Sequence, residues 1–242
     1  MPSQTLNDID LAEANRELEA KSPQERILWT REVFGEGLVM SSSFGLQSSV
    51  LLHLANETVP EIPVIFVDTG YLFKETYLYA EQVTKQLDLN LKVYSSPVTP
   101  ARFEALHGKP WEEGPEGLEQ YGLARKVEPM SRALEELNAT AWLSGLRRSQ
   151  SKSREDRPFI ELQNKVYKIY PILDWDYTKV LTWMLKHDLP FHPLAREGYV
   201  ALGDTHSTKM LEDGMSAEDT RYDGLKWECG LHEGGHGSNY MI

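Results

Sequence analysis

Cysteine, long apolar runs and surplus positive charge are what this chain has least of. Among 242 residues only Cys229 carries a thiol, which excludes an intrachain disulfide framework and any metal centre built from several thiolates. No apolar run reaches the roughly 18 residues of a membrane span. Residues 1–10, Met-Pro-Ser-Gln-Thr-Leu-Asn-Asp-Ile-Asp, have neither a basic start nor an apolar core and do not read as a secretory signal. With one thiol and no export signal, the expected compartment is the cytoplasm. A net charge of −12 argues against general binding to nucleic acid or anionic membrane. His187, His192, His206, His232 and His236 form no convincing ligand set, since the one pair at i, i+4 spacing, His232 and His236, lies in a glycine-rich tail. No metal site is expected.

Against this acidic background, residues 125–157 hold Arg125, Lys126, Arg132, Arg147, Arg148, Lys152, Arg154 and Arg157 against five carboxylates. A basic island on an acidic chain suits a compact, highly charged anion. The plainer reading is a solvated surface with scattered ion pairs. Cys229 sits in Glu228-Cys-Gly-Leu-His232. A nearby imidazole biases a thiol toward thiolate, and polar, glycine-rich surroundings argue against an inert buried cysteine. As the only thiol it must act alone, so any redox cycle through it needs a thiol from elsewhere. From Asp213 onward the chain is rich in glycine and poor in large apolar anchors, which predicts a mobile lid over a bound ligand.

The periodicity predicts a polar helix over residues 8–20. Ser22-Pro-Gln-Glu25 is a capping box opening a second helix that Gly35 stops near Phe34. Apolar strands over 38–40, 62–67, 91–94, 141–144 and 166–172 then alternate with helices through 55, over 74–87 and over 177–187. That alternation predicts an α/β fold, a doubly wound, mostly parallel sheet with helices on both faces. Such sheets bind ligands beyond the carboxyl ends of their strands, and three polar clusters fall there. Ser41, Ser42, Ser43, Phe44 and Gly45 combine small residues and hydroxyls before a helix, which suits an anion. The loop lacks the Gly-Lys-Ser/Thr ending of a Walker A motif, and an ordinary serine-rich helix cap is the competing reading. Asp68, Thr69 and Gly70 stand where a nucleoside would cross the sheet edge, with Asp68 able to accept from a ribose hydroxyl or an amine, or simply to shape a turn. Gly145, Arg147 and Arg148 set paired guanidiniums at a strand end, matched to phosphate or sulfate oxygens. Lys126 and Arg221 are further candidate anion ligands.

These stretches together resemble the thioredoxin-dependent phosphoadenosine-phosphosulfate reductases. The matching segments are Ser41–Gly45, Val67–Phe73, Lys126–Met130, Gly145–Gln150, Tyr199–Thr208 and Glu228–His232, the last being the most specific. The resemblance implies a fold of the adenine-nucleotide alpha-hydrolase-like type. It divides the chain into an N-terminal helical segment (1–35), a nucleotide-binding α/β domain (36–200) and a C-terminal catalytic lid carrying Cys229 (201–242). It implies reduction of 3′-phosphoadenylyl sulfate to sulfite and adenosine 3′,5′-bisphosphate. Cys229 is then the nucleophile, His232 its activator, and Lys126, Arg147, Arg148 and Arg221 screen the anions. External thioredoxin or glutaredoxin is the implied reductant, and a homodimer the implied assembly. The similar adenylyl-sulfate reductases hold a four-iron cluster on a Cys-Cys pair and a Cys-x-x-Cys. Here those positions read Tyr121-Gly122 and Asp204-Thr-His-Ser207, so no iron–sulfur cluster is expected. In the family, that absence goes with the 3′-phosphorylated substrate. Two rivals are an ATP pyrophosphatase of the same fold, which needs an acidic residue in the loop at 41–45, and a nucleotide sensor with a redox-switch cysteine.

Overall fold

The computed structural model describes residues 9–222; Cys229, His232 and residues 223–242 of the expected lid lie outside the described residues. The chain opens with two helices, α1 (Leu11–Glu19) and α2 (Pro23–Phe34). The predicted capping box is present on α2: Glu25 N donates to Ser22 Oγ at 3.3 Å and Ser22 N donates to Glu25 Oε2 at 2.7 Å. Gly35 ends the helix at φ +55°. There follow β1 (Leu38–Ser41), α3 (Ser49–Thr58), β2 (Val64–Asp68), α4 (Lys74–Leu87), β3 (Leu91–Ser95), α5 (Pro100–His107), α6 (Gly114–Gly122), α7 (Glu128–Glu136), β4 (Ala141–Leu143), β5 (Ile160–Gln163), β6 (Val166–Ile169) and α8 (Tyr177–Lys186).

The six strands form one sheet in the order β3-β2-β1-β4-β6-β5, parallel except for the antiparallel β5 edge. The chain runs outward from β1 through β2 to β3, then crosses back to place β4 on the other side of β1. That reversal opens a crevice at the carboxyl ends of β1 and β4, where open α/β sheets take their ligands.

Alternation along the strands sorts the core into two layers. Leu38, Met40, Val64, Phe66, Ala141, Leu143 and Ile169 face one side and pack with Ile27, Leu52, Val83 and Met184 from α2, α3, α4 and α8. Val39, Ile65 and Trp142 face the other side and meet Met130 and Ala133 of α7. Leu18 of α1 and Ile27 of α2 belong to the same large cluster as the sheet. Arg26, 1% exposed, fastens the two helices further. Its Nε donates to Leu18 O (2.8 Å) and its Nη1 to Pro171 O (2.8 Å), while both Nη atoms engage Asp174 (2.7 and 3.1 Å).

Two features depart from the sequence expectation. The last strand ends at Ile169 rather than Ile172, and it is half of a hairpin with β5 that was not expected. The turn is Asn164-Lys165, both at positive φ (49° and 67°); without the usual glycine it gave little hairpin signal. Residues 96–140 hold three helices that the apolar pattern did not reveal. Among the described residues, no helix is long and apolar enough to cross a membrane.

Candidate active site

A cleft of about 920 Å³ opens over the ends of β1 and β4. Its first wall is the loop after β1. Ser41 Oγ accepts from Trp142 Nε1 on the neighbouring strand at 2.6 Å, and Ser42 Oγ accepts from Phe44 N at 3.0 Å. Phe44 takes a left-handed φ of 48° and is fully buried against Phe66, edge to face at 4.9 Å. A non-glycine residue adopts that backbone only when something holds it. Here the phenyl ring plugs the core and the serines are left around the turn, with Ser41, Ser42, Ser43 and Gly45 lining the cleft.

The second wall follows β4. Gly145 and Arg147 line the cleft with Arg154. Arg147 is 6% exposed and Arg154 8%. Gln150 Oε1 accepts from Arg147 N (3.0 Å) and from Arg154 Nη1 (2.5 Å), and Arg147 Nη2 donates to Gln47 Oε1. Burial and the like charge of Arg154 push the Arg147 guanidinium down to about 10, which leaves it charged at neutral pH. Arg148 turns away from this wall. Its Nε and Nη2 donate to Arg157 O (3.1 and 2.8 Å) and its guanidinium lies 5.0 Å over Phe159. The expected Arg147–Arg148 pair is thus one cleft residue and one scaffold residue.

The far end of the cleft is built by residues distant in sequence. A π-helical turn (Leu123–Val127) joins α6 to α7 and buries two consecutive cations, Arg125 and Lys126. Such turns recur at functional sites because they redirect side chains within a helix. Arg125 donates to Val98 O and lies over the Phe103 ring at 4.9 Å. Lys126 faces the cleft: its Nζ is 2.6 Å from Asp204 Oδ2 and donates to Tyr222 Oη at 2.9 Å. Asp204 is wholly buried, and its other oxygen, Oδ1, accepts a hydrogen bond from Thr69 Oγ1. Burial alone would raise its carboxyl pKa, yet Lys126 and Thr69 hold it below the usual carboxylate range. Arg221, 7% exposed, also lines this end.

Behind Asp204 lies a box of rings. His206 stacks on Trp111 at 4.1 Å and 9°, and meets Tyr121 edge-on at 4.8 Å. Burial pushes His206 down to about 4, Asp204 opposing and Lys126 and Arg221 assisting, so it is neutral at pH 7. Tyr121 and the Asp204–Ser207 turn, remote in sequence, therefore meet in space. They present a phenol, a carboxylate and a hydroxyl. No group of three or more potential metal ligands occurs among the described residues.

Asp68 and Gly70 are not among the cleft-lining residues, while Thr69 is. Asp68 Oδ1 accepts from Gly70 N (2.8 Å) and Tyr77 Oη (2.7 Å), a turn-shaping role. Sequence reasoning missed Gln47, Trp142, Arg154 and Asp204. Arg154 lay in the basic island and could have been found; Asp204 carried no local signal.

A doubly wound sheet with its cleft at the strand-order reversal, lined by a serine-rich turn and buried cations, defines an anionic-nucleotide-binding α/β protein. A model of the phosphoadenosine phosphosulfate reductase domain matches residues 37–210. Phosphoadenosine 5′-phosphosulfate reductase from Photobacterium profundum is 52% identical over 225 residues, covering 93% of this chain and 89% of its own. Its counterpart from Synechocystis is 51% identical over 232 residues, covering 95% and 93%. A phosphoadenylyl-sulfate reductase from Candida auris, solved as a phosphate complex, superposes with a TM-score of 0.74 at 31% identity over 86% of this chain and all of that one. A Candida glabrata FMN adenylyltransferase shares the fold alone, with a TM-score of 0.60 at 16% identity over 94% of this chain and 78% of that one. The chain belongs to the phosphoadenosine phosphosulfate reductase family and is an oxidoreductase of sulfate assimilation.

Proposed function

We propose that the chain reduces 3′-phosphoadenylyl sulfate to sulfite and adenosine 3′,5′-bisphosphate through an S-sulfonate on Cys229. The observation that carries this reading is the set of four cations, Lys126, Arg147, Arg154 and Arg221, each under 10% exposed and all lining one cleft of an acidic chain. Buried cations gathered in one place repel each other and are best offset by a multiply charged anion. Arginine forks suit phosphate and sulfate oxygens, and the turn at 41–45 adds hydroxyls at the strand end.

The chemistry is thiolate displacement. Cys229 sulfur bonds to the sulfuryl sulfur while that sulfur's bond to the 5′-phosphate oxygen breaks. Adenosine 3′,5′-bisphosphate leaves with the electron pair, and the enzyme keeps Cys229–S–SO₃⁻. One thiolate of a reduced thioredoxin or glutaredoxin attacks Cys229 sulfur and releases sulfite. Its second thiolate then resolves the mixed disulfide, so the dithiol supplies both electrons and Cys229 is restored. An anionic nucleophile must approach an anionic substrate, and the buried cations supply the screening. His232 orients or activates the thiol. Leu72 and Asp204 pair as an isolated bridge, and Thr205 N donates to Tyr71 O at 2.8 Å. Residues 204–205 are thereby tied to the α/β body, so we place the start of the lid beyond them.

The decisive assay is sulfite release with reduced thioredoxin, comparing the 3′-phosphorylated nucleotide with its unphosphorylated counterpart. Turnover strongly favouring the 3′-phosphorylated form is expected. Equal turnover of both removes the substrate assignment, and none with either removes the reductase reading.

A further inference from the structure

We propose that Gly203 is a positioning residue for the cleft, its missing side chain being the seat of the Arg221 guanidinium. The proposal rests on the reading of the cleft as the site of an anionic nucleotide. A Cβ built on Gly203 would stand 2.4 Å from both Nη1 and Nη2 of Arg221 and 2.6 Å from Cζ. Equal contact with both Nη atoms, with Cζ slightly farther, means that the Nη edge of the guanidinium fills the space a Gly203 side chain would take. Any side chain there would occupy the space the cation now fills. Gly203 does not need glycine for a left-handed backbone, since positive φ is found at other glycines and not at this one. Close approach is the remaining physical reason for the residue type.

The rest of Arg221 is held, so the cation cannot simply slide along. Its backbone pairs with Thr208 as an isolated antiparallel bridge, and Lys209 N donates to Thr220 O at 2.9 Å. On the other side the guanidinium lies 5.2 Å from the centre of the Tyr222 ring, whose hydroxyl accepts from Lys126. Two neighbouring residues thus set the two cations of the far end by different means, Asp204 holding Lys126 by charge and Gly203 admitting Arg221 by absence. Arg221 Nε is buried and finds no hydrogen-bond partner among the described residues. A buried donor left open on a cleft wall is suited to an acceptor carried by a ligand.

The clash in Gly203→Ala would fall on the end of a flexible side chain, so the fold should survive while the guanidinium moves. The test uses the full-length chain and the variants Gly203→Ala, Arg221→Ala and the double variant. Calorimetry measures binding of adenosine 3′,5′-bisphosphate, thermal unfolding checks the fold, and the Arg221 Nε–H resonance, assigned by its loss in Arg221→Ala, reports the cation without nucleotide. The expected results are a shifted resonance and roughly tenfold weaker binding for Gly203→Ala, the scale of a weakened charge-assisted hydrogen bond. In the Arg221→Ala background, adding Gly203→Ala should change binding by less than about twofold, as for a residue acting only through its partner. An unmoved resonance, wild-type affinity in Gly203→Ala, or a tenfold loss that persists without Arg221 would each overturn the proposal. A wild-type chain that ignores the nucleotide would instead overturn the reading of the cleft, while the resonance still decides the seat.

Discussion

At the β1–β4 end of the cleft, the lining groups come from two short segments that each leave a strand directly, 41–45 and 145–147. At the far end, Lys126, Asp204 and Arg221 arrive from three distant segments and are set by one another. The near end uses hydroxyls, backbone and Arg147, which hydrogen-bonds to the amides of Gln150 and Gln47 and feels both the like charge of Arg154 and the carboxylate of Asp176. The far end uses a buried Lys126–Asp204 pair backed by stacked rings. In the proposed reading, the near end takes an anion with little rearrangement. The far end is already neutralised in part, so its structural integrity and its binding capacity are coupled.

Cys229 is the nucleophile of the proposed mechanism, and its removal should separate binding from chemistry most sharply. Cys229→Ser is expected to cut sulfite formation by roughly a thousandfold or more, with bisphosphate affinity retained in calorimetry. Appreciable turnover in the pure variant would end the S-sulfonate mechanism.

The far end should pay for disruption in stability. Asp204→Ala leaves Lys126 buried without its carboxylate, which typically costs about 3–5 kcal/mol, read as a lowered denaturant midpoint. Replacing Lys126 and Asp204 together by apolar residues of similar size should recover most of that loss. If Asp204→Ala melts like the wild type, the two ends do not differ in the way described.

Acid should act on stability outside the cleft in a definable window. His192 is fully buried; Leu194 N donates to its Nδ1 and its Nε2 faces Thr76 Oγ1, each at 3.2 Å. With Nδ1 accepting, the proton sits on Nε2. Burial pushes this imidazole down to about 4 from 6.5. The unfolded chain therefore takes up a proton before the folded one, so the contribution is complete above pH 6.5 and is lost as pH falls toward 4. The loss is on the order of 3 kcal/mol at most. His206, pushed down to about 4 as well, acts in the same window, so His192→Gln should reduce the slope of unfolding free energy between pH 6.5 and 4 without abolishing it; an unchanged slope would assign the acid sensitivity elsewhere.

The finest comparison lies within the near end. Arg147→Ala should weaken bisphosphate binding by about 1.5–3 kcal/mol, the range for a hydrogen bond to a charged group. Arg148→Ala should leave affinity within about 0.5 kcal/mol, as for a site away from the ligand, and act on stability instead. Equal affinity losses would restore the symmetrical pair that the adjacent residues suggested.

The near end was legible because each of its motifs is local. Ser41–Gly45 follows an apolar strand and precedes a helix, and Gly145–Arg147 follows the apolar strand β4. What a local reading could not separate was Arg147 from Arg148, since their directions depend on Gln47 and on the Arg157 carbonyl across the fold. Asp68 likewise read as a ligand group because nothing local announced Tyr77 as its partner. In the far end, Lys126 and Arg221 were visible as cations, but Asp204 read only as a replaced cysteine. Its charge matters because Lys126 comes to rest 2.6 Å away.

By itself, the sequence determined the alternation of strands and helices, the capping box on α2, the serine-rich turn and the lone thiol. Each depends on residues within one turn or one strand of each other, where sterics and hydrogen-bond reach act directly. Only the tertiary structure decided that Gly203 makes room for Arg221, that the π turn aims Lys126 at Asp204, and that Tyr121 and His206 share one box. Those contacts join segments whose separation along the chain carries no periodic signal, and they exist only because the sheet order folds them onto the same edge.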